Sequence, residues 1–443
     1  MRIAFVVPRY GPAIIGGAET AARLLAEHLV VRKGWDVDVL TTCAEDFVTW
    51  EDVYRPGEEW IGGVRVVRFR SAAGREPSFH PLSAALLADP TAVSIEDAER
   101  WLDLQGPIAP DLADAAEAWD GDAMVFYPYL YWPTVRVIGR ATVPTILHPA
   151  AHDEPALHLP IFPAVFDAAD ALVFQTEAER HLVEACFPVA SHRQLLLGLG
   201  VDDPDVPVDG VVTYGADSGA DLGSGADGDV AAGGDAAAGG DAAAGPGSGG
   251  ATEPVSAGAP HPVPDVPFLC CLGRVDDHKG TNLLAAYFAR YKVRRPGPLR
   301  LVLAGPVVEA PPPHPDIDVV GPVSDVDKWA LLSGAAAVVS PSPWEAFSLV
   351  VAEAWSARTP VLVNAGCAAT VEHCRRAGGG LRFDGYGEFE VAVDRLIGDP
   401  TFGEALGARG RAYVDARFRW PQIVDRYAAF VESVAARGRR ATA

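Results

Sequence analysis

The chain alternates short, almost continuously apolar segments with segments of helical length, and the alternation breaks only once. Before the break the apolar segments read IAFVVP, DVDVLTT, VRVVRF, AMVFY, PTILH, ALVFQ and QLLLGL. After it they read PFLCCLG, LRLVLAG, IDVVG, AAVVS, PVLVN and LRF. The residues between them predict helices over 19–31, 134–140, 161–168 and 177–186, and then over 282–291, 326–332, 349–357 and 389–397. Strands without polar alternation are buried on both faces, and strands separated by helices form parallel sheets with helices packed on both sides. The predicted class is therefore α/β: two doubly wound, Rossmann-like domains facing each other across a cleft. Ligands in such sheets sit beyond the carboxyl ends of the strands.

The break runs over residues 203–265, which are nearly free of large apolar side chains and rich in Gly, Ala, Asp and Pro. It contains GGDAAAGGDAAAG between Gly233 and Gly245, two copies of a six-residue unit. Such a segment buries too little surface to offset its ordering entropy, so it is read as a flexible acidic tether without chemistry. The predicted organisation is a first domain over 1–202, the tether, a second domain over 266–418, and a last helix within 419–437. That helix starts at Arg-Trp-Pro, from which it could cross back onto the first domain.

A length of 443 residues exceeds what one hydrophobic core supports, in keeping with two domains. The 36 basic residues against 59 acidic ones give a net charge of −23, which argues against nucleic acid as a partner because phosphate must be neutralised by Lys and Arg. No apolar run is long enough to span a bilayer, and the N-terminal MRIAFVVPRYGP reads as a strand and loop and not as a signal peptide. The six cysteines show no CxxC spacing, and Cys270 and Cys271 fall inside an apolar strand, so they read as buried thiols of a reduced compartment. The expected location is cytoplasmic, where a local basic patch could still touch the inner face of a membrane.

Chemistry concentrates in a few loops. In SPSPWEAFSLVVAEAW an apolar strand gives way to a helix, with Glu345 just before that helix and Glu353 eight positions on. The free amides at the helix start form an anion site beside a carboxylate. A sugar diphosphate satisfies both, its phosphates on the amides and its hydroxyls on the carboxylates; two solvated acids on an amphipathic helix would look the same in isolation. In CLGRVDDHKGTNLL, Arg274 and Lys279 lie five positions apart in a strand-to-helix loop framed by Gly273 and Gly280, where a guanidinium and an ammonium can neutralise a leaving diphosphate.

In the first half, Gly16 and Gly17 precede a helix and let the backbone approach a phosphate, or simply make a tight turn; the dinucleotide fingerprint GxGxxG is missing from this loop. LHPAAHDEP carries His148, His152, Asp153 and Glu154 past a strand end, placed to orient a sugar hydroxyl. Its prolines set it apart from the helical HExxH of a metal site, and His152 is favoured because it lies further beyond the strand. The aromatic run FYPYLYWP (126–133) lies near the cleft and reads mainly as core. The acidic pairs Asp36/Asp38, Asp316/Asp318 and Asp325/Asp327 read as strand residues or, for the last, a helix cap, and no metal site is expected.

Together IGGAE, the GR…KG segment and EAFSLVVAE resemble a retaining glycosyltransferase of family 4 with the GT-B fold, over residues 1–202 and 266–437. The resemblance implies that Arg274 and Lys279 hold the donor diphosphate without a metal cofactor, that Glu353 binds the ribose hydroxyls and that Glu345 faces the donor sugar. It places backbone amides around Phe347, Ser348 and Leu349 on sugar and phosphate, Val323 in the GPV segment at the base, and His152, with His148 second, near the transferred sugar. Ser348 stands where the family often has Gly, and GCAAT (366–370) replaces its usual GG. The implied partners are a nucleotide-diphosphate-sugar donor and a glycan, glycolipid or small-molecule acceptor. The alternatives are a catalytically silent sugar-nucleotide-binding scaffold and a sugar-nucleotide epimerase of the same fold.

Overall fold

The computed structural model describes residues 1–14, 16–204 and 263–441, so most of the segment read as a tether lies outside the described residues. Among them the strands form two sheets. The first contains β1 (Arg2–Val6), β2 (Asp36–Thr42), β3 (Gly57–Ile61), β4 (Val64–Phe69), β5 (Ala123–Phe126), β6 (Thr145–Leu147), β7 (Ala171–Phe174) and β8 (Arg193–Leu196), in the order β3-β4-β2-β1-β5-β6-β7-β8. All neighbours are parallel except β3 and β4, which form an antiparallel hairpin. The second contains β9 (Phe268–Leu272), β10 (Arg300–Ala304), β11 (Ile317–Gly321), β12 (Ala337–Ser340), β13 (Val361–Asn364) and β14 (Gly380–Phe383), all parallel, in the order β11-β10-β9-β12-β13-β14.

These orders decide where a ligand goes. In a doubly wound sheet the crevice opens where the strand order reverses, at the carboxyl ends of two adjacent strands whose connections leave in opposite directions. In the second sheet that point lies between β9 and β12, whose following loops carry Arg274, Lys279 and Glu345. In the first it lies between β1 and β5, and the β1 loop leads to Gly16 and Gly17. Central strands such as β1, β5, β7 and β12 are buried along nearly their whole length, as their unbroken apolar runs require.

The sequence reading lacks β3, an exposed edge strand with Trp60 71% accessible. Its signal was the Gly62–Gly63 pair, both with φ in the left-handed region, which makes the two-residue turn of a hairpin. Five further helices were also not predicted: Phe79–Leu87, Ile95–Gln105, Pro110–Glu117, Ala368–Ala377 and Pro400–Arg417. Asp325 is not the cap of the Asp325–Gly334 helix. That role belongs to Ser324, whose hydroxyl accepts from the Asp327 amide.

The last helix, Trp420–Ala441, packs on the first half. Trp420 stacks on His28 at 4.0 Å, Lys33 pairs with Asp425 at 2.6 Å, and Arg193 donates to the Ser433 carbonyl at 2.8 Å. One cluster of buried side chains therefore runs from Phe5 and Val125 through Tyr427 and Val431 to Cys270 and Val338, joining the two sheets. The cysteines among the described residues are free, five of them buried and Cys186 half-buried. No helix among the described residues is long and apolar enough to cross a membrane.

Candidate active site

The loop after β9 is shaped by a buried carboxylate. Asp276, 5% exposed, accepts from the Lys279 amide at 2.7 Å and from the Arg274 Nε, while its carbonyl accepts the Thr281 hydroxyl at 2.8 Å. Gly280 caps the following helix at φ 74°, where an added Cβ would stand 2.6 Å from the Pro341 carbonyl oxygen, so only glycine fits the close approach of the two loops. Across that approach Lys279 Nζ meets Glu345 Oε1 at 2.6 Å. The pair ties the β9 loop to the β12 loop at the point where the strand order reverses.

Beyond Glu345 the chain turns into the Leu349–Ser356 helix through Ser348, which sits at φ 70°, ψ 86° and makes no side-chain cap. Among the described residues no side chain hydrogen-bonds to the first amides of this helix. Phe347 is buried, edge-on to Phe418 at 5.0 Å and His373 at 4.7 Å, which fixes the backbone of the turn. Leu349 is half-buried. Glu353 is held separately from Glu345, by Lys328 Nζ at 2.9 Å, and Lys328 also reaches Asp325 at 3.2 Å. Burial alone would lower the Lys328 ammonium; the charges of Glu353 and Asp325 outweigh it and hold its pKa above the ordinary lysine value. Asp202, pushed up by burial, lines the same crevice together with Thr20 and Leu24 of the first half. Val323 lies past β11, half-buried against the main cluster.

In the first half, Gly17 opens the Gly17–Lys33 helix, and Gly16 leaves room for the Glu19 side chain. A Cβ there would fall 2.3 Å from the Glu19 carboxylate, which folds back to accept from Arg9 Nε at 3.0 Å. The two histidines separate clearly. His148 is 1% exposed, stacks on Tyr127 and meets Tyr427 Oη at 3.1 Å; burial pushes its pKa well below the usual imidazole value. It packs between the first sheet and the last helix, more enclosed than His152. His152 keeps 29% of its side chain exposed, and its Nδ1 lies 3.8 Å from Glu154 Oε1 without a hydrogen bond. The aromatic run is mostly core, with Tyr127, Tyr129 and Trp132 buried.

Two family profiles match the chain: "Glycosyl transferase 4-like domain" over residues 16–200 and "Glycosyl transferases group 1" over residues 259–413. The chain belongs to the family 4-like glycosyltransferases of the GT-B fold. A trehalose synthase of Rubrobacter xylanophilus is 30% identical over 176 residues, covering 36% of this glycosyltransferase and 41% of that protein. The chain thus spans about two fifths of the length of the curated relative it matches. Among solved structures, sucrose-phosphate synthase from Thermosynechococcus elongatus superposes with a TM-score of 0.63 at 18% identity, covering 98% of this chain and 99% of that one. The Anabaena protein HepE in complex with UDP and glucose superposes with a TM-score of 0.59 at 13% identity, covering 98% and 100%. These two likenesses bear on the fold.

Several contacts of this glycosyltransferase site were not foreseen from sequence. Thr176 donates to the Ala346 carbonyl at 3.0 Å, linking the first half to the residue after Glu345. Glu372 accepts from the Glu177 and Ala178 amides at 3.3 and 2.7 Å, so a carboxylate of the second half caps a helix of the first. Lys328 and Asp276 have the same status: each is an unremarkable surface-type residue in sequence, identified only by its partner. No group of three or more His, Cys, Asp or Glu side chains able to hold a metal occurs among the described residues.

Proposed function

We propose that this glycosyltransferase moves a sugar from a nucleotide-diphosphate-sugar to an acceptor hydroxyl with retention of configuration. The observation that carries the reading is the convergence of Arg274, Lys279 and Glu345 beside the uncapped start of the Leu349–Ser356 helix, at the carboxyl ends of β9 and β12. In this reading the bond between the anomeric carbon and the diphosphate oxygen breaks while the acceptor oxygen bonds to the same carbon from the same face. The acceptor proton passes to the departing phosphate oxygen.

Arg274, Lys279 and the helix amides neutralise the charge that develops on the leaving group, and this pair of basic side chains takes the part that a bound cation would otherwise play. Glu345 faces the sugar and Glu353 the ribose hydroxyls. Gly16 and Gly17 bring the first half to the phosphates, Val323 lies at the base, and His152 stands near the transferred sugar. The acceptor is a glycan, a glycolipid or a small molecule. Because the curated relative is named a trehalose synthase, free sugars come first in an acceptor screen.

The test is thermal shift of the wild type and Lys279→Ala against UDP, GDP, ADP and dTDP, followed by transfer assays with EDTA present. Stabilisation by one nucleotide that is lost in the variant supports the donor site. No shift with any of the four would turn the reading towards a silent scaffold, and donor conversion without acceptor towards an epimerase.

A further inference from the structure

Arg274 is held from two sides. Its Nε is taken by Asp276 of its own loop, and its guanidinium carbon lies 4.9 Å from the centre of the Phe47 ring, which belongs to the first half. Its two terminal nitrogens have no protein partner among the described residues. A guanidinium whose inner edge and face are occupied presents its outer fork in one orientation, the fork that matches phosphate oxygens.

Phe47 is itself built in. Arg9, 4% exposed, lies 5.3 Å from the same ring and donates to the Glu45 carbonyl at 2.9 Å, while the Asp46 carboxylate accepts from the Val48 and Thr49 amides at 2.6 and 2.8 Å. Arg9 is anchored in turn by Glu19, whose carboxylate lies over Gly16. A continuous set of contacts thus leads from the glycine loop of the first half, through Glu19, Arg9 and Phe47, to the arginine of the second.

We propose that Phe47 is a positioning residue for Arg274: its ring holds the guanidinium across the cleft in the pose that receives the second phosphate of the donor. The inference rests on the donor-site reading above. It adds that the diphosphate grip is assembled from both halves, so the first half contributes to donor binding through an aromatic face.

The test compares nucleoside diphosphates with monophosphates, since only the former reach Arg274. Wild type, Phe47→Leu, Phe47→Tyr, Arg274→Ala and the Phe47→Leu/Arg274→Ala double variant are titrated calorimetrically with UDP and UMP, and likewise with the GDP/GMP, ADP/AMP and dTDP/dTMP pairs. For the pair that the wild type binds, Phe47→Leu is expected to weaken the diphosphate three- to tenfold and leave the monophosphate within twofold. Phe47→Tyr, which keeps the ring, should restore wild-type affinity, and Phe47→Leu should have no further effect once Arg274 is alanine. Equal weakening of both nucleotides, or an unchanged diphosphate affinity in Phe47→Leu, overturns the proposal. A wild type that binds none of the pairs overturns the donor-site reading itself, which separates the two failures.

Discussion

Lys279 Nζ stands 2.6 Å from Glu345 Oε1, so two groups assigned to the donor neutralise each other across the β9 and β12 loops. A diphosphate arriving there competes with Glu345 for the ammonium. Lys279→Ala removes one preorganised charge from the leaving-group site, an effect worth roughly 3–4 kcal/mol, so turnover should fall by about two to three orders of magnitude. Glu345→Gln is expected to act in the opposite sense on binding: it frees Lys279, so nucleoside diphosphate affinity rises severalfold while turnover falls. Titration and steady-state kinetics on the two variants check this. Weaker binding in Glu345→Gln would show that the ion pair does not compete with the ligand.

Lys328 gives a second prediction. Its ammonium pairs with Glu353 at 2.9 Å in a setting where both side chains are less than one-fifth exposed. Lys328→Met strips a mostly buried carboxylate of its counter-charge, which should cost about 2–3 kcal/mol in chemical denaturation. It should also weaken nucleotide binding through the misplaced Glu353. Because Lys328 also pairs with Asp325 at 3.2 Å, only part of the stability loss runs through Glu353, and Lys328→Met in a Glu353→Gln background should cost less than in the wild type by that part. Additive losses would sever the link.

How much of this was legible in the sequence follows the physics of each signal. Buried parallel strands announce themselves by unbroken apolar runs, so β9 (FLCCL) and β12 (AVVS) were readable, and with them the loops that carry Arg274, Lys279 and Glu345. The edge strand GEEWI has no such run because its residues are exposed on both faces. The Ala368–Ala377 helix was hidden by its GCAAT start, which lacks a side-chain cap. Phe47 and Lys328 were not legible as site residues, since their roles come from contacts such as Phe47–Arg274 that join positions far apart in the chain. In LHPAAHDEP only the distance from the strand end separates His152 from His148. Only the approach of Tyr427 from the last helix shows that His148 is enclosed.

Ser348 is a strained residue at the heart of the turn. A φ of 70° lies in the region where a Cβ is disfavoured, and no hydrogen bond of its side chain compensates as a helix cap. Ser348→Gly removes that strain and is expected to raise stability by about 0.5–1 kcal/mol, net of the greater freedom glycine has in the unfolded chain. Nucleotide affinity should stay within twofold if only backbone amides meet the ligand here. A lower denaturation midpoint in Ser348→Gly would mean that the hydroxyl or Cβ contributes more to packing than the backbone strain costs.

Acid should loosen the contact between the halves before it denatures either sheet. His28, stacked on Trp420, and His373, edge-on to Phe347 and Phe418, are both buried, and burial followed by a neighbouring arginine (Arg32 and Arg376 respectively) lowers each pKa to about 3. Their unfolded values lie near 6.5, so between those limits the unfolded chain binds more protons than the folded one. The stability tied to the neutral imidazoles is therefore complete above about pH 6.5 and is lost progressively as pH falls towards 3. In the window from pH 7 to 5, where most carboxylates remain ionised, the denaturation midpoint should drop. Hydrogen exchange should rise first in residues 420–436 and around the 345–348 turn. Substituting both histidines with glutamine should reduce the slope in that window, leaving the part carried by buried His148 against Tyr427. A wild-type midpoint constant from pH 7 to 5 would show that these imidazoles do not control the contact.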